Sequence, residues 1–151
     1  MLHPAPTSEI PKHMCRGTFA EHHPATATKP ETVVLTFPNT DYRLELIPTE
    51  PMDLDEFPVG KRIEGTIQAQ ARRIDVCNTG GRYVEPVYGR PRRVQGSIIS
   101  VDAGAGTITV GAGVPINCTL TAPGQKPADF KKADFVTFAT LPGATFTPRK
   151  V

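Results

Sequence analysis

Proline and glycine interrupt this chain so often that long helices are excluded. The 151 residues include 16 prolines and 13 glycines. No run of ten residues keeps apolar side chains three and four positions apart without meeting a proline or a glycine. Short strands joined by turns tolerate this spacing, whereas helices do not. The pattern therefore predicts an all-β protein of about the size of one domain.

A seven-residue motif occurs twice and marks two of the strands. Residues 61–67 are Lys-Arg-Ile-Glu-Gly-Thr-Ile, and residues 92–98 are Arg-Arg-Val-Gln-Gly-Ser-Ile. Each copy begins with two basic residues and then alternates polar with apolar side chains, which is the period of a strand. Each also has a glycine in mid-strand, which permits a bend or a close neighbouring backbone. We expect the two strands to occupy equivalent or neighbouring positions.

Alternating apolar positions indicate the remaining strands. Residues 33–46 form a predicted hairpin with a turn at 38–41. The long strand that starts at residue 63 keeps one apolar face to Ala71, slips by one residue, and resumes at Ile74 and Val76, which predicts a β-bulge at Arg72-Arg73. Further predicted strands cover residues 82–85, 94–101, 107–110, 116–120 and 133–138, with one helical turn near 127–130.

The first 30 residues have a different composition. They contain five prolines, all four histidines and few large apolar side chains. A segment of this kind buries too little surface to offset the entropy lost on ordering. We therefore expect residues 1–30 to form an extended or disordered arm, anchored through Leu2, Ile10, Met14 and Phe19. Residues 31–151 then form a single β-barrel domain.

Charge is segregated along the chain. Residues 1–60 carry four basic and nine acidic side chains, whereas residues 61–93 carry eight basic and three acidic ones. Such a basic segment attracts an anionic partner. The alternative is that the acidic loop at residues 50–56, from the same chain or from a neighbour, neutralises it.

Seven of the basic side chains are arginines, whose planar, forked donors match phosphate and stack on bases. Two nearby tyrosines are suited to stacking on unpaired bases, and two glutamines share the polar face of the first repeat strand. The candidate residues for binding a polyanion are Arg62, Gln68, Gln70, Arg72, Arg73, Arg82, Tyr83, Tyr88, Arg90, Arg92 and Arg93.

The stretch from about residue 60 to 140 resembles the OB fold, a small curled barrel of five strands whose first strand is long, bent and contains a glycine. Gly65, the bulge at Arg72-Arg73 and the glycine-rich hairpin at residues 104–110 have counterparts in that fold. The segment 133–138, Ala-Asp-Phe-Val-Thr-Phe, is similar to the Gly-Asp-x-Val-x-Phe ending of cold-shock-like barrels, with Ala133 in place of the glycine.

The resemblance implies an OB-like barrel of short antiparallel strands, preceded by the hairpin and the proline-rich arm. The chain departs from cold-shock proteins where they carry aromatic residues in the strands after the first turn. The corresponding segment here is Thr107-Ile108-Thr109-Val110, so we do not expect base stacking on that surface. Fold alone does not assign function.

Other chemistries have weak support in the sequence. His13, Cys15, His22 and His23 match no closed four-ligand pattern for a metal. The pairs of glycines at 104–106 and 111–113 lie between predicted strands rather than between a strand and a helix, so they indicate hairpin turns and not a dinucleotide site. No Gly-x-Ser-x-Gly motif is present. We therefore expect neither enzymatic activity nor a metal or cofactor.

The cellular compartment is predicted from features that the sequence does not contain. Its three cysteines form no CxxC pair, and their odd number argues against a disulfide framework. No segment resembles a signal peptide or reaches membrane-spanning length. These features favour a cytoplasmic protein.

Two functional hypotheses remain. In the first, the protein is a non-enzymatic module that binds single-stranded nucleic acid or another polyanion through its arginine-rich strand surface. In the second, it is a structural or assembly protein. Its N-terminal arm (residues 1–30) and acidic loop (residues 50–56) would then dock on neighbouring subunits, as in a homo-oligomer, or on a partner protein.

Overall fold

The structure is a computed structural model that describes residues 10–78 and 80–150. These residues contain twelve strands, one turn of 3-10 helix (Pro127–Asp129) and no α-helix, which confirms the predicted all-β class. The strands are β1 (Cys15–His23), β2 (Thr32–Thr36), β3 (Arg43–Pro48), β4 (Arg62–Ala71), β5 (Asp75–Val76), β6 (Tyr83–Glu85), β7 (Tyr88–Gly89), β8 (Arg93–Asp102), β9 (Thr107–Gly111), β10 (Pro115–Leu120), β11 (Phe135–Ala139) and β12 (Thr145–Pro148).

Five strands close into a barrel, which we call the first ring. Going around it, β1 pairs with β2, β2 with β3, β3 with β12, β12 with β4, and β4 with β1. All of these pairs are antiparallel except β3 with β12, which are parallel. The first ring therefore joins the N-terminal strands to the last strand of the chain.

The second ring contains the residues between β4 and β12. It runs from β4 to β10, β9, β8 and β11, with β4 and β10 in parallel and the other pairs antiparallel. An antiparallel bridge between Ala71 and Thr140 brings β11 back to β4. Backbone hydrogen bonds from Arg72 N to Ala139 O (2.8 Å) and from Leu141 N to Gln70 O (2.9 Å) flank the bridge.

The long strand β4 belongs to both rings. Its first half pairs with β1 at residues 62–65 and its second half with β10 at residues 68–71. The two repeat strands, β4 and β8, are therefore not paired with each other, since β11 separates them on one side and β9 with β10 on the other. The expectation of neighbouring or equivalent positions is wrong, because β4 is shared by both rings and β8 belongs to the second ring.

The segment between β5 and β8 connects the surfaces of the two rings. Its strand β6 pairs with β8 of the second ring, and its strand β7 pairs in parallel with β3 of the first. Arg43 N donates to Val87 O at 2.8 Å and strengthens the second contact. Residues 85–92 therefore lie across the junction of the rings.

One hydrophobic core serves both rings. It includes Phe19, Leu44 and Phe146 from the first ring and Ile98 and Phe138 from the second, all at most 2% exposed. Alternation explains this burial, because every second side chain of a strand points to the same face of a sheet.

Tyr42 ties the two rings together within this core. Its hydroxyl donates to Ala112 O at 2.8 Å and accepts from Val84 N at 2.9 Å. The contact joins the β2–β3 turn of the first ring to two segments of the second. Loss of hydration on burial raises the pKa of the Tyr42 phenol, although its hydrogen bond with Val84 N–H lowers that pKa in part.

The mid-strand glycines of the two repeats permit close backbone approach, as expected. A Cβ on Gly65 would lie 2.3 Å from Thr147 O, and one on Gly96 would lie 2.2 Å from Gly111 O. Both distances are shorter than real Cβ contacts. The glycine of the motif is therefore a packing requirement in both strands.

The boundary predicted at residue 30 differs from the structure. Residues 15–23 form β1, which pairs with β2 and β4 and places Phe19 in the core. The sequence hid this strand because charged residues, histidines and threonines occupy its outer face. The first nine residues of the expected arm, with Leu2, lie outside the described residues. The OB-like stretch that was predicted at about residues 60–140 corresponds to the second ring. The first ring is closed entirely by pairing between strands.

The predicted long strand is interrupted, but its one-residue slip is present. Ala71 lies opposite Thr140, while Asp75 lies opposite Thr137. The segment from Ala71 to Asp75 therefore has one residue more than the segment from Thr137 to Thr140 that lies opposite it, as at a β-bulge. Ile74 is buried as expected, but Val76 is 58% exposed, because β5 is the last strand in the sheet order.

Candidate polyanion-binding groove

Four of the predicted site residues line one open cavity of about 500 Å³ at the junction of the rings. We call this cavity the basic groove. Its predicted members are Tyr88, Arg90, Arg92 and Arg93, and Glu85, Pro86 and Gly89 complete the lining. Tyr88 is 66% exposed, so its ring is open to a ligand.

The three groove arginines differ in their contacts. The Nε atom of Arg90 lies 3.3 Å from Glu45 Oε1, which makes an ion pair between the segment 85–92 and β3. Arg93 Nη2 donates to Thr137 Oγ1 at 3.1 Å. Within residues 10–78 and 80–150, the Arg92 side chain has neither an ion pair nor a hydrogen bond. Two of the three guanidinium groups are therefore not neutralised by a carboxylate of the described chain.

Arg72 and Gln70 extend this basic surface onto β4. Arg72 follows Ala71, and its backbone N–H donates to Ala139 O, while Ala139 lies opposite Arg93. Two strand spacings, about 10 Å, thus separate the backbones of Arg72 and Arg93. Both side chains are exposed, as is Gln70. No ion pair holds the Arg72 guanidinium within the described ranges.

Three other candidates lie on the outer face beside the groove but are tied to neighbours. Arg73 Nε contacts Asp75 Oδ1 at 3.3 Å, and Arg82 Nη2 donates to Ser97 Oγ at 3.3 Å. The Tyr83 hydroxyl donates to Gln95 Oε1 at 3.1 Å. The last two contacts place Arg82 and Tyr83 against side chains of β8, and Arg82 lines a different cavity, together with Ile99 and Val114.

Two predicted residues lie away from the groove. Arg62 starts β4 beside Thr18 of β1 and lines a cavity with Arg16 and Phe37. Gln68 accepts from Thr145 Oγ1 at 3.0 Å, and its amide nitrogen donates to Thr147 Oγ1 at 3.1 Å, so it joins β4 to β12. The alternation of side chains correctly predicted that Arg62 and Gln68 lie on the polar face of β4. It did not show that this face turns away from the groove along a curved strand.

Within the described residues, the acidic loop of the same chain makes no ion pair with a groove residue, whereas docking of this loop from a neighbouring subunit stays a prediction. Among the described residues, the ion pair that this loop makes joins Glu50 to Lys150, with 3.4 Å between Oε2 and Nζ. Asp53 instead caps the loop itself by accepting from the backbone N–H of Asp55 and Glu56. The carboxylates that do contact the basic segment are Glu45 and Asp75.

Sequence reasoning missed the part of the first ring that adjoins the groove. Arg90 also lines a second open cavity, of about 400 Å³, with His23, Lys29, Thr32 and Glu45. His23 and Lys29 were assigned to the separate arm, so nothing in the one-dimensional pattern linked them to the arginines. We call this space the first-ring cavity.

The remaining chemical candidates are accounted for by the fold. Burial raises the pKa of the Cys15 thiol to about 12 and also raises that of Cys118. His22 Nε2 lies 2.7 Å from Glu31 Oε2. No group of three or more histidine, cysteine, aspartate or glutamate side chains suited to a metal occurs in the described part of the chain.

No protein-family model matches the chain, and no curated protein or solved structure matches it either. In the described part of the chain, no helix has the length and the apolar character needed to cross a bilayer.

Proposed function

We propose that this protein binds single-stranded nucleic acid in the basic groove and catalyses no reaction there. One observation carries the proposal: three arginines and an exposed tyrosine line a single open cavity, and a carboxylate pairs with only Arg90 of the three in the described chain. The ligand would supply the missing anionic partners.

The residue types suit the two faces of such a ligand. A guanidinium group donates two parallel hydrogen bonds to a phosphate, and Arg92 and Arg93 line the groove. A base stacked on tyrosine contributes about 1–3 kcal/mol with little dependence on sequence. Tyr88 is the tyrosine with the exposure that this role needs. We therefore expect Tyr88 to stack on bases while the arginines hold the backbone.

The number of strands supports an OB-like interpretation of the first ring. An OB fold is a partly open barrel of five strands, and the first ring closes with five. The second ring also contains five strands, β4 among them, and returns to β4 through the Ala71–Thr140 bridge. Many OB barrels bind oligonucleotides, and the proposal for this chain rests on its own groove.

The test is fluorescence anisotropy with a labelled single-stranded oligonucleotide of about ten nucleotides. Binding is measured between about 50 and about 200 mM salt, where counterion release makes the affinity fall steeply. A duplex of the same sequence should bind more weakly, because its bases are not available to Tyr88. A protein that binds no oligonucleotide at low salt, and elutes as a nucleic-acid-free oligomer, would contradict the proposal and favour the assembly hypothesis.

Paired variants separate a site from general charge. R92A/R93A removes two groove arginines, and we expect the slope of log affinity against log salt to fall by about 1.4, since each phosphate contact on a single strand contributes about 0.7. R62A/R82A removes the same net charge outside the groove and should leave the slope unchanged. Equal losses in both double variants would show that binding has no defined site.

A further inference from the structure

The basic groove and the first-ring cavity meet at one side chain. Arg90 lines both, and its ion pair with Glu45 stands where the two spaces join. Glu45 belongs to β3 of the first ring, whereas Arg90 follows β7 on the connecting segment. The two open cavities, of about 500 and about 400 Å³, therefore share Arg90, and Glu45 lines the second of them.

The first-ring cavity, which lies on the other side of the Arg90–Glu45 contact, also carries positive charge. Lys29 is exposed in the β1–β2 loop, and its backbone is held by Thr26, which accepts from Lys29 N–H at 3.1 Å. Its ammonium group has no ion pair within the residues that the structure describes. His23 lies beside it and contacts Glu21 Oε1 at 3.3 Å. Cationic groups thus line both cavities, and Glu45 lies between them.

The ion pair is of a kind that a ligand displaces readily. The side chains of Arg90 and Glu45 are 45% and 31% exposed, and ion pairs exposed to this extent contribute little to stability. A phosphate offers Arg90 the same forked geometry with more charge. Exchanging Glu45 for a phosphate therefore costs little and gives Arg90 a stronger partner.

We infer that the bound strand continues from the basic groove into the first-ring cavity, replacing Glu45 as the partner of Arg90 and reaching Lys29. This inference rests on the proposed function and extends its site from one ring to both. Glu45 then acts as an internal anion that occupies Arg90 while the protein is free of ligand.

The first test is E45Q, which keeps the size of the side chain and removes its charge. In the wild type, Glu45 regains counterions when the phosphate displaces it, so Arg90 adds little net counterion release. In E45Q that compensation is lost, and we expect the salt slope to steepen by about 0.7 and the affinity to rise several-fold. E50Q is the matched control, because it breaks the exposed pair with Lys150 and should change neither quantity.

The second test is K29A with oligonucleotides of increasing length. Short oligonucleotides fill only the basic groove, so their affinity should not change, whereas longer ones should lose several-fold in affinity. R92A should weaken the binding of all lengths. A silent K29A at every length, or an E45Q that behaves as E50Q does, would overturn the inference alone when R92A/R93A still lowers the salt slope by about 1.4. Failure of the wild type to bind any length would overturn the proposed function itself.

Discussion

The arginine side chains of the two rings differ in their partners. In the first ring, Arg16 and Arg149 both contact Glu64, and Arg43 contacts Glu21. In the second, Arg82 and Arg93 donate to hydroxyl groups, and the Arg92 side chain has no partner within the described ranges. Three first-ring arginines therefore have carboxylate partners, whereas these three second-ring arginines have none in the described chain.

The rings also differ in how they close. Paired strands close the first ring on every side, and its termini are β1 and the last strand, β12. The second ring is inserted between β4 and β12 and returns to β4 through the Ala71–Thr140 bridge. Under the proposed function, this arrangement would divide the roles, with the first ring as the scaffold and the inserted ring carrying the binding surface. The groove lies where the two meet.

The strongest test of this division removes one core phenylalanine from each ring. Phe146 of the first ring is 0% exposed and Phe138 of the second is 1% exposed, so F146A and F138A should each cost about 3–5 kcal/mol. Because one core joins the rings, we expect a single urea transition in both variants. Hydrogen exchange that shows residues 82–140 opening alone in F138A would show instead that the rings fold independently.

A smaller effect is expected from Y42F, which keeps the ring and removes the hydroxyl that joins the two barrels. Ala112 O and Val84 N would lose this buried partner, at a cost of about 1–3 kcal/mol. Amide exchange at Val84 should accelerate more than exchange at Leu35 of the first ring. Y83F is the control, since the hydroxyl of half-buried Tyr83 bonds the Gln95 side chain on the paired strand β8 and does not join the two rings. Equal effects of Y42F and Y83F would contradict the role of Tyr42 as the link.

The last effect appears only at alkaline pH and again involves both rings. Burial raises the pKa of Cys15 from 9.0 to about 12 and raises that of Cys118 as well. Above pH 9 the unfolded chain loses thiol protons that the folded chain retains, so stability present below pH 9 is lost as the pH rises toward 12. The loss is about 1.4 kcal/mol per thiol for each pH unit.

Urea midpoints at several pH values measure this loss. C118A should show a shallower decline with pH than the wild type, because only Cys15 of the buried thiols then remains. C77A is the control, since Cys77 is partly exposed and should leave the decline unchanged. A decline of the same steepness in C118A as in the wild type would exclude Cys118 as a contributor.

Local pattern was sufficient to predict most of the strands. The hairpin at 33–46, the strands around residues 63, 94, 107, 116 and 135, and the helical turn near 127 all occur close to the predicted positions. These segments succeed because inward and outward side chains alternate, and the pattern needs no knowledge of the partner strand. The mid-strand glycines were identified from the local repeat, which likewise needs no knowledge of the partner strand.

The candidate site was predicted only in part. Tyr88, Arg90, Arg92 and Arg93 line one cavity, and Arg72 lies two strand spacings from Arg93. Arg62 and Gln68 lie elsewhere, and His23 and Lys29 were missed. Strand β1 was missed because its outer face is polar and its segment is rich in proline and histidine. β12 is only four residues long, which is too short for a period to be recognised.

By itself, the sequence determined that this chain is built of strands, which side of each strand is buried, and that positive charge gathers in residues 61–93. Only the tertiary structure decided that β4 serves two rings, that β12 closes the first, and that Glu45 reaches Arg90. The physical reason is that period two specifies the face of a strand but not its neighbour. Neighbours are selected by packing between segments far apart in the chain, such as β1 with β4 and β3 with β12.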